Sequence, residues 1–173
     1  MNIDKKTLRL YAITDRTWLD GRTLYYDVEK ALKGGVTLLQ LREKNMSTDD
    51  FINSAKEIKS LCEKYNVPLI INDNVDVAKA VNADGVHIGQ NDMPAHEARK
   101  ILGKNKIIGV TAKTVEQAQK AENAYQMCTK NEMYEYLIRI AQQPKKTVLT
   151  ILAAVQYSVQ QQKVTQRKWI YRL

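Results

Sequence analysis

Glycine is absent after Gly109, although seven glycines occur in the 173-residue chain. Residues 125–173 also lack aspartate, and they hold eight of the 27 Lys and Arg but only two of the 19 Asp and Glu. They therefore carry +6 of the net charge of +8. Residues 1–124 are nearly neutral, which argues against a polyanion-binding domain there. We interpret residues 1–124 as one folded region and residues 125–173 as a divergent basic tail.

Long apolar runs and cysteines are also scarce. No apolar run is long enough to span a bilayer, and the first residues lack the apolar core of a signal peptide. The sequence therefore predicts a cytoplasmic protein with no membrane partner. Hydrophobic residues make up 44% and charged residues 27%, as in globular domains. Cys62 and Cys128 do not have metal-ligand spacing, and in the cytoplasm we expect both to stay reduced.

Apolar segments alternate with segments of helical periodicity throughout residues 1–124. The predicted strands lie at 8–14, 36–42, 67–71, 85–89 and 107–110, and the predicted helices at 24–33, 48–65, 75–82, 93–102 and from 115 onward. This alternation is typical of parallel strands joined by crossover helices. A barrel and a doubly wound sheet both fit the pattern. No G-x-G-x-x-G follows the first strand, which disfavours a dinucleotide-binding fold.

Polar residues end the second predicted strand. Alternation places Gln40, Arg42 and Lys44 on one side, which in a barrel faces the axis at the mouth. An arginine fork and a lysine ammonium at that position suit a phosphate group. The alternative is a solvated strand end in which Glu43 is the ionic partner, and this alternative is favoured if the segment is considered alone.

Two acidic residues follow the next two strands. Asp73 lies between Asn72 and Asn74 after the third strand, and Asp92 follows the fourth. Two carboxylates at neighbouring strand ends can share a Mg²⁺ ion that takes further oxygens from a substrate phosphate. Alternatively, each residue serves in a turn or a helix cap. Together with the cations, the acids favour a site for a metal-bound diphosphate or polyphosphate.

Other reactive side chains are interpreted as structural. His87 lies in the middle of the fourth strand, where a packing role is favoured over a catalytic base. Cys62 lies on an amphipathic helix and is interpreted as a packing residue. Trp18 and the pair Tyr25 and Tyr26 are likewise attributed to packing.

Five segments, in order and spacing, resemble the thiamine-phosphate synthase family over about residues 7–124: LRLYAITDR, GGVTLLQLREKNMS, PLIINDNVDVA, ADGVHIGQNDMP and IIGVTAKTVEQAQKAENA. The resemblance implies an α/β fold of the TIM (β/α)₈-barrel family, represented here by about five βα units. It also implies a transferase of thiamine biosynthesis. Such an enzyme joins hydroxymethylpyrimidine diphosphate to thiazole phosphate and releases pyrophosphate.

The resemblance implies a role for each matching residue. It assigns these residues to the pyrimidine diphosphate: Gln40, Arg42, Lys44, Asn72 and Thr111. Arg42 and Lys44 would act in catalysis by stabilising the leaving pyrophosphate, and Asp73 and Asp92 would bind Mg²⁺. Thr111 stands where the family usually has serine. The related thiazole tautomerases share the fold but do not need the two aspartates, so the aspartates favour a synthase.

The resemblance stops after Ala124. The family's next strand, whose Thr and Lys bind the thiazole phosphate, is not recognisable, so we expect little or no turnover. An open arc of strands also predicts an oligomer or partner that covers it. The alternative function is a non-catalytic remnant or regulatory protein whose cationic tail binds nucleic acid or an acidic protein. In that case 133–142 and 147–157 are predicted helices.

A shifted reading frame is a further hypothesis for the tail. In the shifted frame, each new codon consists of the last base of one codon and the first two bases of the next. For residues 147–165, the genetic code then permits the sequence GADYLGGGAVFSTTTKSD, which resembles the family's missing strand. A frameshift would also account for the loss of glycine. The nucleotide sequence tests this hypothesis directly.

Overall fold

Six parallel strands and five helices alternate along the chain in the computed structural model, which describes residues 5–126 and 137–140. The strands are β1 (Tyr11–Ile13), β2 (Leu38–Leu41), β3 (Leu69–Asn72), β4 (Gly85–Ile88), β5 (Ile107–Ala112) and β6 (Leu137–Ile140). The helices are α1 (Leu24–Lys33), α2 (Thr48–Lys64), α3 (Val75–Ala80), α4 (Ala95–Leu102) and α5 (Val115–Gln126). The strands and helices predicted for residues 1–124 are therefore confirmed. The first strand is shorter than predicted, because Leu8 ends a 3₁₀ helix (Lys5–Leu8) and residues 9 and 10 form a bend.

The strands lie side by side in the order in which they occur in the chain, from β1 to β6. Every neighbouring pair is parallel. A doubly wound sheet would reverse its strand order at a switch point, whereas a barrel adds each strand to the same edge. The observed order confirms the barrel-type α/β fold and decides between the two predicted architectures.

The two faces of the sheet differ in composition. Alternate strand residues such as Leu39, Leu69 and Ile71 join a buried apolar cluster with the helices. The residues between them face the opposite side, where Leu38, Ile70 and Ile107 form a separate small cluster. We call these the outer face and the inner face. Farther along the same strands, the inner face becomes polar.

Polar side chains begin the helices that follow these strands. Ser47 Oγ accepts a hydrogen bond from the Asp50 backbone N–H at the start of α2. Asn74 Oδ1 accepts one from the Val77 N–H, at 2.9 Å, at the start of α3. Such caps satisfy N–H groups that have no partner inside the helix. They fix the point at which the chain leaves each strand, next to the candidate site.

The predicted helix at 133–142 is wrong at 137–140, since these residues form β6 and pair with Gly109 to Ala112 of β5. The edge of β5 offers backbone hydrogen-bonding groups, and the segment Leu-Ile-Arg-Ile suits a strand. Among the described residues, no helix is both long and apolar enough to cross a membrane. Other interpretations of the tail lie outside the described residues: Cys128, the helix at 147–157, the cationic binding segment and the shifted frame.

Candidate functional site

The candidate site lies where the carboxyl ends of β2 to β5 meet. Register places Asn72 beside His87, and His87 beside Gly109, on adjacent strands. The structure also brings Gln40 of β2 into contact with Asn72 of β3, although 32 positions separate them in the sequence. The carboxyl ends of barrel strands are the usual place for an active site in this architecture.

Gln40 and Asn72 form a buried amide pair on the inner face. Their exposed fractions are 2% and 7%. The Gln40 Nε2 group donates to Asn72 Oδ1 at 2.5 Å, and the Tyr11 hydroxyl donates to Gln40 Oε1 at 2.6 Å. Burial of polar groups is tolerated here because each has a hydrogen-bonding partner. The pair is rigidly oriented before any ligand binds.

Asp73 occupies a tight turn between β3 and α3. Its φ of 62° lies in the left-handed region, which costs an L-residue about 1–2 kcal/mol. The Asp73 N–H donates to the His87 carbonyl at 2.7 Å, and the Asn74 N–H donates to the Asn72 carbonyl at 2.7 Å. These hydrogen bonds hold the strained residue in place. Backbone strain of this kind is concentrated at functional sites.

Asp73 and Asp92, which the sequence assigned to a metal, lie in contact. Partial loss of solvent, together with the hydrogen bond and charge of Asp92, raises the pKa of Asp73 to about 6. Hydrogen bonding by Asn72 and the positive charge of Arg42 lower the pKa of Asp73 and so oppose this increase. Because Asp73 keeps considerable solvent exposure, we attribute much of the shift to the neighbouring carboxylate. Asp92 is itself held by the Gly89 N–H, at 2.6 Å from Oδ2.

This carboxylate pair fits a divalent cation. Two carboxylates that compete for one proton can instead share a metal ion, which removes their repulsion. Within the described residues, no group of three or more His, Cys, Asp or Glu side chains converges. The two aspartates would therefore need oxygens from water or substrate to complete the coordination, which is the usual arrangement for Mg²⁺.

Arg42 and Lys44 follow the end of β2, and both lie near the exposed carboxylate of Asp15. Arg42 Nη1 is 3.3 Å from Asp15 Oδ2. Hydrogen bonds from Thr17 lower the pKa of Asp15, and the charges of Arg42 and Lys44 lower it further. Glu43 points elsewhere and accepts from Arg16 Nε at 2.9 and 2.8 Å. The alternative in which Glu43 neutralises the strand-end cations is therefore wrong, because its carboxylate is engaged by Arg16.

Thr111 lies on the inner face with its side chain against His87. His87 Nε2 is 2.8 Å from Thr111 Oγ1. Burial lowers the pKa of His87 to about 4, so the ring is neutral near pH 7. A Cβ added to Gly109 would lie 2.5 Å from His87 Nδ1, which shows how closely the ring covers that glycine. His87 is buried, and the packing role predicted from the sequence stays a prediction.

Cys62 is separated from this group of residues. It is buried in the outer core, where burial raises the pKa of its thiol to about 12. It therefore remains a neutral packing residue, as predicted. Sequence reasoning missed Tyr11, whose contact with Gln40 is set by the pairing of β1 with β2. The only available signal was its position near the start of a strand that borders the Gln40 strand.

Comparisons with known proteins agree with this architecture. The sequence model of a family described as thiamine monophosphate synthase matches residues 10–127. A thiamine-phosphate synthase of Clostridium novyi is 59% identical over 116 residues, which are 67% of this chain and 57% of the relative. The thiamine-phosphate synthase of Clostridium acetobutylicum is 59% identical over 121 residues, or 70% and 56% of the two chains. The chain thus spans just over half the length of these relatives.

A solved structure gives the same result for the fold. It is the thiamine phosphate pyrophosphorylase from Pyrococcus furiosus, which is 30% identical to this chain with a TM-score of 0.65. The superposition covers 77% of this chain and 75% of that chain.

Proposed function

The chain belongs to the thiamine monophosphate synthase family, and on this premise we propose that its described residues bind the pyrimidine diphosphate substrate of thiamine-phosphate synthesis. Family membership connects the chain to thiamine biosynthesis. The observation that best supports the specific proposal is that Asp73 and Asp92, which follow neighbouring strands, act on each other, and that the charge of Arg42 also acts on Asp73. A diphosphate would neutralise the charge of Arg42, and a divalent cation would neutralise the charges of Asp73 and Asp92.

Asp73 and Asp92 would hold the Mg²⁺ ion. A bound Mg²⁺ would act as a Lewis acid that neutralises charge on the departing pyrophosphate. The raised pKa of Asp73 beside Asp92 supports this assignment, because a cation stabilises two adjacent carboxylates in their charged forms.

Arg42 and Lys44 would bind the diphosphate directly. Arg42 offers a planar fork for two phosphate oxygens, and Lys44 adds a mobile point charge. The charges of both cations lower the pKa of the exposed Asp15, so both side chains lie near the same carboxylate. A diphosphate bound beside Asp15 would therefore contact both cations. Their contribution grows as the bond between the pyrimidine methylene and the pyrophosphate breaks, because charge accumulates on the leaving group.

Gln40, Asn72 and Thr111 would orient the substrate. The amide pair is fixed by hydrogen bonds before substrate arrives, which lowers the entropic cost of binding. In the mechanism implied by the family, pyrophosphate departs first and the thiazole nitrogen then captures the pyrimidine cation. This sequence does not require a protein nucleophile, and it agrees with the burial of Cys62, whose raised pKa keeps its thiol protonated.

Synthesis by this chain alone is proposed to be slow. Residues 125–173 do not contain the family's strand motif, roughly GADYxGxGxxFxTxTK, whose Thr and Lys bind the thiazole phosphate. Two substrates must be held together before one bond can form between them. We further propose a cytoplasmic location, and an oligomer or a protein partner that covers the open side of the strand arc.

The test is a calorimetric titration of hydroxymethylpyrimidine diphosphate into the full chain with Mg²⁺. We expect one binding site, weakened by about 10- to 100-fold in Arg42→Gln because a charge-assisted hydrogen bond is lost. Arg22→Gln is the matched control, since Arg22 pairs with Asp27 at the surface. Equal binding by the Arg42 and Arg22 variants would contradict the proposal.

Turnover is measured separately by pyrophosphate release after thiazole phosphate is added. We expect release far below that of a full-length relative such as the Clostridium acetobutylicum enzyme. Turnover equal to the relative's would contradict the proposed loss of thiazole-phosphate binding, but it would support the assignment of the diphosphate site.

A further inference from the structure

Thr111 is held by two side chains from the carboxyl end of the neighbouring strand β4. Its hydroxyl lies 2.8 Å from His87 Nε2. Its backbone carbonyl accepts a hydrogen bond from the Gln90 Nε2 group. His87 lies within β4, and Gln90 follows shortly after that strand ends at Ile88. The end of one strand thus fixes both the side chain and the backbone of a residue on the next strand.

The His87 ring reaches Thr111 across a glycine. Strand register pairs His87 with Gly109 rather than with Thr111. Alternation places Gly109 and Thr111 on the same face of β5 as Ile107, which belongs to the inner apolar cluster. A Cβ added to Gly109 would lie 2.5 Å from His87 Nδ1, so a side chain there would displace the ring. Glycine therefore leaves the space through which the imidazole approaches the Thr111 hydroxyl.

The two partners of this hydrogen bond differ in exposure. His87 is only 5% exposed, and among the described residues its Nδ1 atom has no hydrogen-bonding partner. Because buried polar groups are costly without partners, the contact between Nε2 and Thr111 is the one that orients the ring. Thr111 is partly exposed. A hydroxyl both donates and accepts, so Thr111 keeps capacity for a ligand while it contacts His87.

We infer that His87 is a positioning residue for Thr111, holding its hydroxyl in the orientation that meets the pyrimidine part of the substrate. The inference rests on the proposed function, which assigns Thr111 to the pyrimidine diphosphate. Arg42 follows β2, three strand spacings from β5, or about 14 Å along the sheet. The loss of His87 should therefore weaken the binding of the pyrimidine part and spare the binding of the diphosphate part.

The experiment compares two ligands in calorimetric titrations of the full chain with Mg²⁺: hydroxymethylpyrimidine diphosphate and pyrophosphate. The short amide of His87→Asn does not reach Thr111, whereas the longer amide of His87→Gln places a nitrogen near the position of Nε2. We expect His87→Asn to bind the pyrimidine diphosphate about 3- to 10-fold more weakly, because the released hydroxyl must be immobilised again on binding. His87→Gln should restore this affinity to within about twofold, and pyrophosphate affinity should change by less than about twofold in both variants.

The chain offers a matched control in its other histidine, His96. His96 lies on α4, where it is partly exposed and is 3.8 Å from Glu97. His96→Asn makes the same chemical change away from β5, so it should bind both ligands as the unmodified chain does. Equal weakening of both ligands in His87→Asn would indicate a general structural role and would overturn the inference. Equal loss in His87→Asn and His87→Gln would also overturn it.

A double-mutant cycle tests whether His87 acts through Thr111. Thr111→Val removes the hydroxyl and keeps the shape of the side chain. Adding His87→Asn in that background should change the affinity for the pyrimidine diphosphate by less than about twofold. The same loss in both backgrounds would overturn the inference.

Gly109→Ala replaces His87→Asn if circular dichroism shows that His87→Asn is not folded. The added methyl group displaces the ring while His87 and Thr111 both remain. Folded Gly109→Ala should show the same selective loss of pyrimidine diphosphate binding. Unchanged binding of both ligands would overturn the inference.

The failure of the inference and that of the proposed function are distinguishable. If the unmodified chain binds hydroxymethylpyrimidine diphosphate and His87→Asn binds it equally well, only the role of His87 is overturned. If the unmodified chain does not bind this ligand, the proposed function is overturned, and the role of His87 with it.

Discussion

The outer and inner faces of the sheet use the same strands for different purposes. On the outer face, strand residues and helices share a cluster of 26 buried apolar residues. On the inner face, the apolar cluster has three buried members, and the strand ends carry amides, a histidine and the turn that holds Asp73. Of two adjacent residues, Ile71 thus packs in the outer cluster and Asn72 lies in the inner amide pair. Substitutions in the outer cluster should therefore have the largest effect on stability, and substitutions at the inner strand ends a smaller one.

The largest loss of stability is expected for a substitution in the outer cluster. Ile58 of α2 is fully buried, and Ile58→Ala should lower the free energy of unfolding by about 3–4 kcal/mol. Urea denaturation measures this loss. Val115→Ala is the control, since Val115 is 52% exposed and should cost less than about 1 kcal/mol. A similar loss in both variants would show that the outer cluster does not dominate stability.

The pH dependence of stability tests the buried histidine. The folded pKa of His87, about 4, lies below the ordinary value of 6.5. The unfolded chain therefore takes up a proton first as the pH falls, and stability from the neutral ring is lost between pH 6.5 and 4. The loss should reach about 3 kcal/mol in the metal-free chain.

His87→Asn isolates this contribution, because the variant cannot titrate in that range. Its free energy of unfolding should be lower than that of the unmodified chain near pH 7 but should change less between pH 6.5 and 4. Asp73, whose raised pKa acts in the opposite direction in part of this range, is present in both proteins and does not affect the difference. Parallel pH profiles would contradict the expected shift.

The smallest effect on stability is expected at the aspartate pair. Asp73→Asn removes a charge that lies against Asp92, and asparagine tolerates the left-handed conformation. Since solvent screens the repulsion, the free energy of unfolding at pH 7 should rise by less than about 1 kcal/mol. Thermal denaturation without metal measures the change, with Asp76→Asn on the neighbouring helix as the control. A clear loss of stability in Asp73→Asn alone would show that the carboxylate is structural.

The sequence predicted what depends on local pattern. Strand and helix order follows from apolar periodicity, and the placement of Arg42 opposite Glu43 follows from alternation. The left-handed turn at Asp73 was not predicted, because it depends on hydrogen bonds to Asn72 and His87. The link from Tyr11 to Gln40 depends on strand register, and β6 depends on the edge that β5 offers. Contacts of this kind are not encoded in the spacing of neighbouring residues.

The most direct test of the account is calorimetric titration of pyrophosphate into the full chain, with and without Mg²⁺. The account predicts a single site that requires Mg²⁺ and that is weakened by about 100-fold in Asp73→Asn, while Asp76→Asn binds as the unmodified chain does. Binding of the same strength without Mg²⁺, or in the Asp73 variant, would contradict the proposal that the inner strand ends form a magnesium–diphosphate site.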